Sequence, residues 1–287
     1  MSFHSRFTLL ALISVLTCCT PELVPFEDLE LSNSNTTIEL VISGSVTSFN
    51  QNQIIVINTP WNFISATGNE SVSGAIVEVF DGDTMYSYSE SSIEGEEGIY
   101  LSDNSFAGEI GHTYRVHVKY NGRDYYAEDT MISLNEANLP LPIIGVEFER
   151  GSYGLELYRH NFGYEQPLRL KTINTTSELS NQQSNLFFFS NNDRYFHDHL
   201  PVEGLHNREV NIIPIWGKEE DEISLYYFSI SPLYYKYLLS VFQQTDWSVG
   251  PLISQPGNIK TNWNFGATGF FYATFITEKE ILIKDCI

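Results

Sequence analysis

Between Tyr114 and Asp129 the chain alternates apolar and polar residues on both sides of Asn121-Gly122, and no other segment constrains the fold as tightly. Asn-Gly suits a two-residue type I′ turn, in which both loop positions need φ > 0. That turn sets Tyr120 opposite Arg123. Val118 then faces Tyr125 and Val116 faces Ala127 on one side of the ribbon, while Lys119 faces Asp124 and Arg115 faces Glu128 on the other. Opposite charges facing each other across a sheet contribute roughly 0.2–1 kcal/mol per pair. A slip of one residue would exchange the core and solvent faces. Apolar and charged pairs therefore agree on a single register.

The same period of two runs through the rest of the chain. Ile38, Leu40 and Ile42 alternate before Gly44, and Ile54 to Ile57 form a continuous apolar run. Ala75, Val77 and Val79 oppose Ile76, Glu78 and Phe80, ending at Asp81-Gly82-Asp83. Past Leu139-Pro140-Leu141-Pro142, where proline removes ladder donors, further strands are expected around Leu155, Leu168, Leu186-Phe187-Phe188-Phe189, Val210 and Ile223 to Ile230. One helix is predicted over 232–243: Ser231 is a good N-cap, Pro232 suits the first helical position, and Leu233, Tyr237, Leu238 and Val241 would form its apolar stripe. The tail returns to strands, with Phe271, Ala273 and Phe275 alternating with Tyr272, Thr274 and Ile276. The fold class read from this pattern is mainly β. It divides into a β-domain over 38–138, a linker over 139–149 and a second β-rich domain with one short helix over 150–287.

Residues 1–18 read as a signal peptide. A short n-region with Arg6 and no acid leads into the apolar stretch Leu9 to Leu16, far below the roughly 20 residues needed to span a bilayer. Thr17-Cys18-Cys19-Thr20 follows, a setting for lipoprotein processing. Leu16 and Cys18 favour Cys19 as the acylated residue, whereas Val15 and Thr17 would serve Cys18, which stays open as the alternative. Residues 19–37 carry Glu22, Glu27, Asp28 and Glu30 before a Ser/Asn/Thr run and read as a lipidated N-terminus and flexible tether. The remaining cysteine, Cys286, would then have no intrachain partner, which argues against a disulfide framework. With 15 basic against 36 acidic residues and a net charge of −21, the surface repels phosphate backbones and anionic lipid. Nucleic acid is excluded as a partner, and membrane attachment is expected through the lipid chains alone.

His197, Asp198, His199, Glu203 and His206 share one expected loop and are the residues best able to bind a metal ion. No rigid spacing such as H-E-x-x-H fixes their geometry, so a polar surface loop is the preferred reading, with no cofactor. The acidic clusters at 81–83, 94–97 and 219–222 do not fit the EF-hand pattern and read as solvated turns. A G-x-S-x-G elbow, a phosphate loop and a dinucleotide fingerprint are all missing, so no catalytic residues are assigned and no enzyme is expected. Trp61, Trp216, Trp247 and Trp263 sit near Asn, Gly or Pro and are the candidate ligand or interface aromatics, able to stack on a glycan or anchor a protein contact. Each also has a plain structural use in an aromatic-rich core, which is the preferred account for any single one.

Several stretches together resemble a family of lipoproteins associated with the outer membrane of Bacteroidetes, known as domain of unknown function 4249. They are Val72 to Val79, Gly98-Ile99-Tyr100, Phe106-Ala107-Gly108, Gly111 to Tyr114, Gly122 to Ala127 and Met131, then Ile223 to Tyr237 and Asn258 to Tyr272. The resemblance implies an N-terminal immunoglobulin-like or carboxypeptidase-regulatory-like β-sandwich followed by a second β-rich domain. It also implies a role as an accessory to outer-membrane nutrient uptake, and it brings no catalytic residues. The segment from His197 to Arg208 departs from the family's shorter Asp-containing pattern. The expected function is a non-enzymatic, lipid-anchored binding or scaffolding protein of the bacterial cell envelope, with an outer-membrane transporter as partner. The alternatives are a structural or adhesive surface protein and a carboxylate-based hydrolase.

Overall fold

The computed structural model describes residues 38–60, 69–136, 139, 141, 143–149, 151–157, 167–174, 182–189, 194–197, 212–245, 259–264 and 266–286. Its strands are β1 (Leu40–Thr47), β2 (Ile54–Asn58), β3 (Ile76–Asp81), β4 (Thr84–Glu90), β5 (Ile99–Ser102), β6 (Thr113–Tyr120) and β7 (Arg123–Thr130). There follow β8 (Ile143–Glu149), β9 (Ser152–Leu157), β10 (Leu168–Asn174), β11 (Gln182–Phe189), β12 (Arg194–His197), β13 (Ile212–Lys218) and β14 (Glu222–Ser229). After the helix α1 (Pro232–Thr245) come β15 (Ala267–Thr268), β16 (Phe271–Thr274) and β17 (Ile276–Leu282). The protein is β-rich, as its period-two patterning requires.

The β6–β7 hairpin has the register set by its turn. Tyr120 pairs with Arg123, Val118 with Tyr125, Val116 with Ala127 and Arg115 with Glu128. Asn121 and Gly122 take φ of 49° and 75°, as a type I′ turn needs. The inward residues are buried, and Arg115 meets Glu128 at 3.2 Å. Lys119 faces Asp124 in register, but that carboxylate turns to the diagonal neighbour His117, 2.8 Å from its Nε2.

The first sheet runs β15-β1-β2-β5-β4-β3-β6-β7, and β16 also pairs with β1. Both late strands lie parallel to β1, with Leu40 opposite Ala267 and Gly44 opposite Phe271, whereas the other pairs are antiparallel. The sheet built from residues 40–130 thus takes in residues 267–274, from beyond the linker expected at 139–149. On the far side of these strands lies the outer edge of β7, and side chains close the gap. Asn264 donates its N–H to the Tyr126 carbonyl (3.0 Å) and accepts the Tyr126 N–H on Oδ1 (2.9 Å), so it mimics one residue of a strand. Asn262 donates to the Glu128 carbonyl (2.9 Å) and the Phe271 carbonyl (2.7 Å) and accepts the Phe271 N–H (3.1 Å). The result is a mixed, nearly closed, barrel-like sheet whose last gap is bridged by these hydrogen bonds. Its interior holds Ile42, Val46, Ile55, Ile57, Val79, Val116 and Val118, all wholly buried. Burial of such side chains contributes about 1.5–3 kcal/mol each.

A second sheet has the order β12-β11-β10-β14-β17, and a third the order β13-β9-β8. The chain passes from the first sheet to the second at Phe275, between β16 and β17. Ser229 holds this step: its N–H donates to the Phe275 carbonyl (2.9 Å), its Oγ accepts the Phe275 N–H (2.9 Å), and its carbonyl accepts from Thr274 Oγ1 (2.9 Å). Ser48, just past β1, accepts the Ile276 N–H at 2.8 Å. The change of sheet explains why the tail's alternation does not continue: Phe271 and Ala273 are buried, and so is Thr274.

The helix starts where Ser231 and Pro232 place it, with Ser231 Oγ accepting the Tyr234 N–H at 3.1 Å. Its buried face differs from the expected stripe. Tyr234 and Leu238 are buried, whereas Leu233 is 46% exposed, because Tyr234 stacks on Tyr272 of β16 and sets the rotation of the helix. At the other end of the fold Ile38 is 49% exposed, since it precedes the paired part of β1.

Candidate functional site

The helix meets the sheets in an aromatic junction. Gly269, with φ of 95°, interrupts the strand between β15 and β16. Phe270 consequently packs with Ile230, Tyr234 and Leu238, while Phe271 points into the barrel core. Tyr234 lies flat on Tyr272, with ring centroids 4.2 Å apart and planes 3° from parallel, and Tyr237 stacks on Phe270 at 4.8 Å. Such ring pairs add about 0.5–1.5 kcal/mol beyond their buried area and make stiff walls. Burial pushes the Tyr234 phenol well above its ordinary range, Tyr272 pushes it the same way, and the positive charge of Arg169 opposes both. Tyr237 is raised by burial and by Tyr272. Both phenols are therefore neutral near pH 7.

Arg169 enters the same neighbourhood from β10, opposite Phe228 of β14 and Phe187 of β11 in register. Its guanidinium carbon sits 3.8 Å from the centroid of the Phe228 ring, a cation–π contact of about 0.5–2 kcal/mol. Its Nε is buried and has no hydrogen-bond partner among the described residues. Chemically, the junction offers apolar walls, neutral phenols and one permanent positive charge. No nucleophile–base pair lies among these groups.

A second buried ionisable group stands beside it. Asp129 of β7 is 2% exposed; its Oδ2 accepts the Ala273 N–H of β16 at 3.0 Å, and it takes a hydrogen bond from Ser231, the helix N-cap. Burial raises its pKa from 3.8 to about 6, against the lowering effect of Ser231, Ala273 and Thr130. A carboxyl raised on folding stabilises the native state fully below its unfolded value, and that contribution is lost as pH rises through the folded value. Between pH 3.8 and pH 6 Asp129 therefore withdraws about 3 kcal/mol. Asp129→Asn stays neutral and keeps one acceptor oxygen. Urea unfolding at pH 4 and pH 7 should show its stability rising relative to wild type by about that amount; parallel pH curves for the two proteins would refute this.

The remaining clusters have structural partners. His117 lies between Glu78 (3.1 Å) and Asp124 (2.8 Å) and stacks on Tyr126 at 4.7 Å. His112 bonds Asp81 at 2.9 Å, and that hydrogen bond raises its pKa. A cleft of about 600 Å³ is lined by Leu141, Glu222, Glu280, Leu282, Asp285 and Cys286. The charge of Glu222 raises the Glu280 carboxyl, and burial raises the Cys286 thiol. No group of three or more His, Cys, Asp or Glu among the described residues is arranged to hold a metal ion.

Of the residues singled out by sequence, Cys18, Cys19, Trp61, Trp247, His199 and His206 lie outside the described residues. His197 ends β12, paired with Leu186, and Trp216 lies in β13 opposite Gly154. Trp263 is buried in the core of the first sheet, 6% exposed, with no partner for its indole N–H among the described residues. The junction of Arg169, Phe228, Tyr234 and Tyr272 escaped sequence reading, because its members come from three distant segments. The only local sign was the helical spacing of Tyr234 and Tyr237.

The family model described as "Domain of unknown function (DUF4249)" matches residues 27–280, most of the chain. The chain belongs to the DUF4249 family. No curated protein matches it. The DUF4249 match takes in both ends of the first sheet, the helix and β10 and β14, so the closing strands and the aromatic junction all lie within the family's span. No helix among the described residues of this DUF4249 member is long and apolar enough to cross a membrane.

Proposed function

We propose that the protein is a non-enzymatic, lipid-anchored binding or scaffolding component of the bacterial cell envelope, an accessory to an outer-membrane uptake system in a Bacteroidetes cell. The observation that carries the binding role is the junction at Arg169: a cation on the Phe228 ring beside stacked, buried tyrosines. Stiff aromatic walls with one fixed charge lose little conformational entropy when a ligand docks. The envelope location is supported by the leader-like segment at 1–18 and by an acidic surface that leaves acyl chains as the means of attachment. In this reading Cys19, with Cys18 as the alternative, carries the acyl chains, 19–37 is a tether, and the first sheet serves as an immunoglobulin-like or carboxypeptidase-regulatory-like module. Trp61, Trp216 and Trp247 would offer stacking surfaces for a glycan.

Labelled fatty acid should enter the wild-type protein and its Cys18→Ala variant but not Cys19→Ala, and only the last should leave the membrane fraction. Absence of label from the wild type would sink the anchor. Crosslinking on intact cells followed by mass spectrometry should recover an outer-membrane transporter. Recovery of no partner, together with loss of surface assembly on deletion, would favour a structural or adhesive protein.

A further inference from the structure

Hydrogen bonds bridge the last gap of the first sheet, whereas the second sheet ends in an open strand. Among the described residues β17 is paired on one side only, with β14. The bonds at the two ends of that pair fix which residues face outward. Ser229 N–H donates to the Phe275 carbonyl (2.9 Å) and Ile283 N–H to the Asp221 carbonyl (3.1 Å), and both continue the β14–β17 register. Residues of odd number in β17 therefore bond β14, while Ile276, Glu278, Glu280 and Leu282 point their backbone groups away from it. Ser48 shows the same parity, since its Oγ accepts the Ile276 N–H (2.8 Å) and donates to the Ile276 carbonyl (3.3 Å). Past Ser48, the N–H and C=O of Glu278 and Glu280 and the N–H of Leu282 have no hydrogen-bond partner among the described residues.

The cleft of about 600 Å³ lies on this stretch. Ile281 sits on the face shared with Ile223, whereas Glu280 and Leu282 sit on the opposite face with Glu222, so a cleft lined by all of them wraps around the open edge. Leu141 and Cys286 extend its apolar wall, and Asp285 adds an acid. Glu278 and Glu280 are exposed, and the charge of Glu222 raises the Glu280 carboxyl, so negative charge is crowded here. Lys279 turns to the other face, 5.9 Å from the centroid of the Tyr227 ring, and leaves that crowding in place.

We propose that the outer edge of β17 is a docking strand for an extended, positively charged segment of another protein, which adds to the second sheet beside Glu278 and Glu280 and seats an apolar side chain in the cleft. This rests on the scaffolding role put forward above and gives it a contact surface. An added strand satisfies the free backbone groups, and its alternate side chains fall on the two faces of the sheet. Lysine or arginine on the face of Glu278 and Glu280 then meets opposite charge across the new pair. The same glutamates repel a second copy of β17, so charge decides between the two partners. The net charge of −21 favours encounter with a basic segment as well.

The test uses the full-length ¹⁵N-labelled protein and a blocked synthetic peptide of alternating lysine and valine, matched in length to β17. In the free protein the amides of Glu278 and Glu280 should exchange with solvent much faster than those of Thr277 and Lys279. The peptide should shift the Glu278 and Glu280 signals saturably and slow their exchange. A version N-methylated at every residue keeps the charge but cannot donate to the sheet, and it should bind at least about tenfold more weakly. So should a version with glutamate in place of lysine, and the double variant Glu278→Gln, Glu280→Gln should lose affinity to a similar degree. Equal binding of the N-methylated peptide would reduce the contact to charge and overturn the proposal. Slow exchange at Glu278 and Glu280 in the free protein, or no peptide-induced protection there in the millimolar range, would overturn it too. These readings are made on the wild type and do not depend on a variant folding. The fatty-acid label and the crosslinked partner are measured separately, so failure here is distinguishable from failure of the envelope role.

Discussion

Gly269→Ala should destabilise the protein by about 4 kcal/mol, the largest effect expected of any single methyl group in the first sheet. Two independent penalties add at this position. The backbone sits at φ 95°, outside the regions open to residues with a Cβ. The added carbon would also overlap the Ile42 carbonyl oxygen and stand 2.9 Å from the carbonyl carbon. Neither neighbour can yield, because Ile42 belongs to β1, paired with β2 on its other side. A shift of Gly269 would pull Phe270 from the helix and Phe271 from the barrel core together. Denaturant unfolding should show a lower midpoint with an unchanged slope. A loss below about 1 kcal/mol would mean that the strand break relaxes freely.

Gln53→Leu should cost a similar amount, about 4 kcal/mol, although it places an apolar residue in a buried position. Gln53 is 1% exposed and fully bonded. Its Oε1 accepts the Thr47 N–H (3.0 Å) and hydroxyl (3.2 Å), and its Nε2 donates to the carbonyls of Phe106 (2.7 Å) and Phe49 (3.1 Å). Leucine fills much of the same space and leaves backbone groups of three residues, Thr47, Phe49 and Phe106, without the amide as partner, each worth about 1–3 kcal/mol when buried. The damage should reach the second sheet, because Phe49 packs edge-on against Tyr226 at 6.3 Å. Thermal unfolding with near-ultraviolet circular dichroism would read both effects. A midpoint within a degree or two of wild type would show that water replaces the amide at no cost.

How much of this was legible in the sequence varies with the range of the interaction. The β6–β7 register could be read in full because a two-residue turn ties the partners together, and Arg115–Glu128 lies within its reach. The helix start could be read for the same reason, since Ser231 acts on an N–H three residues away. The rotation of that helix could not. Leu233 is the stronger hydrophobe, yet Tyr234 is the buried residue, because the stack waiting for it belongs to Tyr272. Gln53 and Asp129 read as ordinary polar positions until the fold surrounded them with backbone groups needing partners.

What the sequence determined by itself, then, was local: strands by their period of two, the Asn121-Gly122 turn by its need for positive φ, and the helix by its cap. Those depend on neighbours a few residues apart, whose geometry the chain restricts before folding. Only the tertiary structure decided that residues 267–274 lie parallel to β1, and that Asn262, Asn264 and Asp129 close the first sheet. It alone set an arginine from β10 against a ring from β14 beside a tyrosine of α1. These contacts join segments far apart along the chain, and a parallel pair carries no turn to announce its register. Their partners are chosen by burial and by hydrogen bonds that exist only once the sheets have formed.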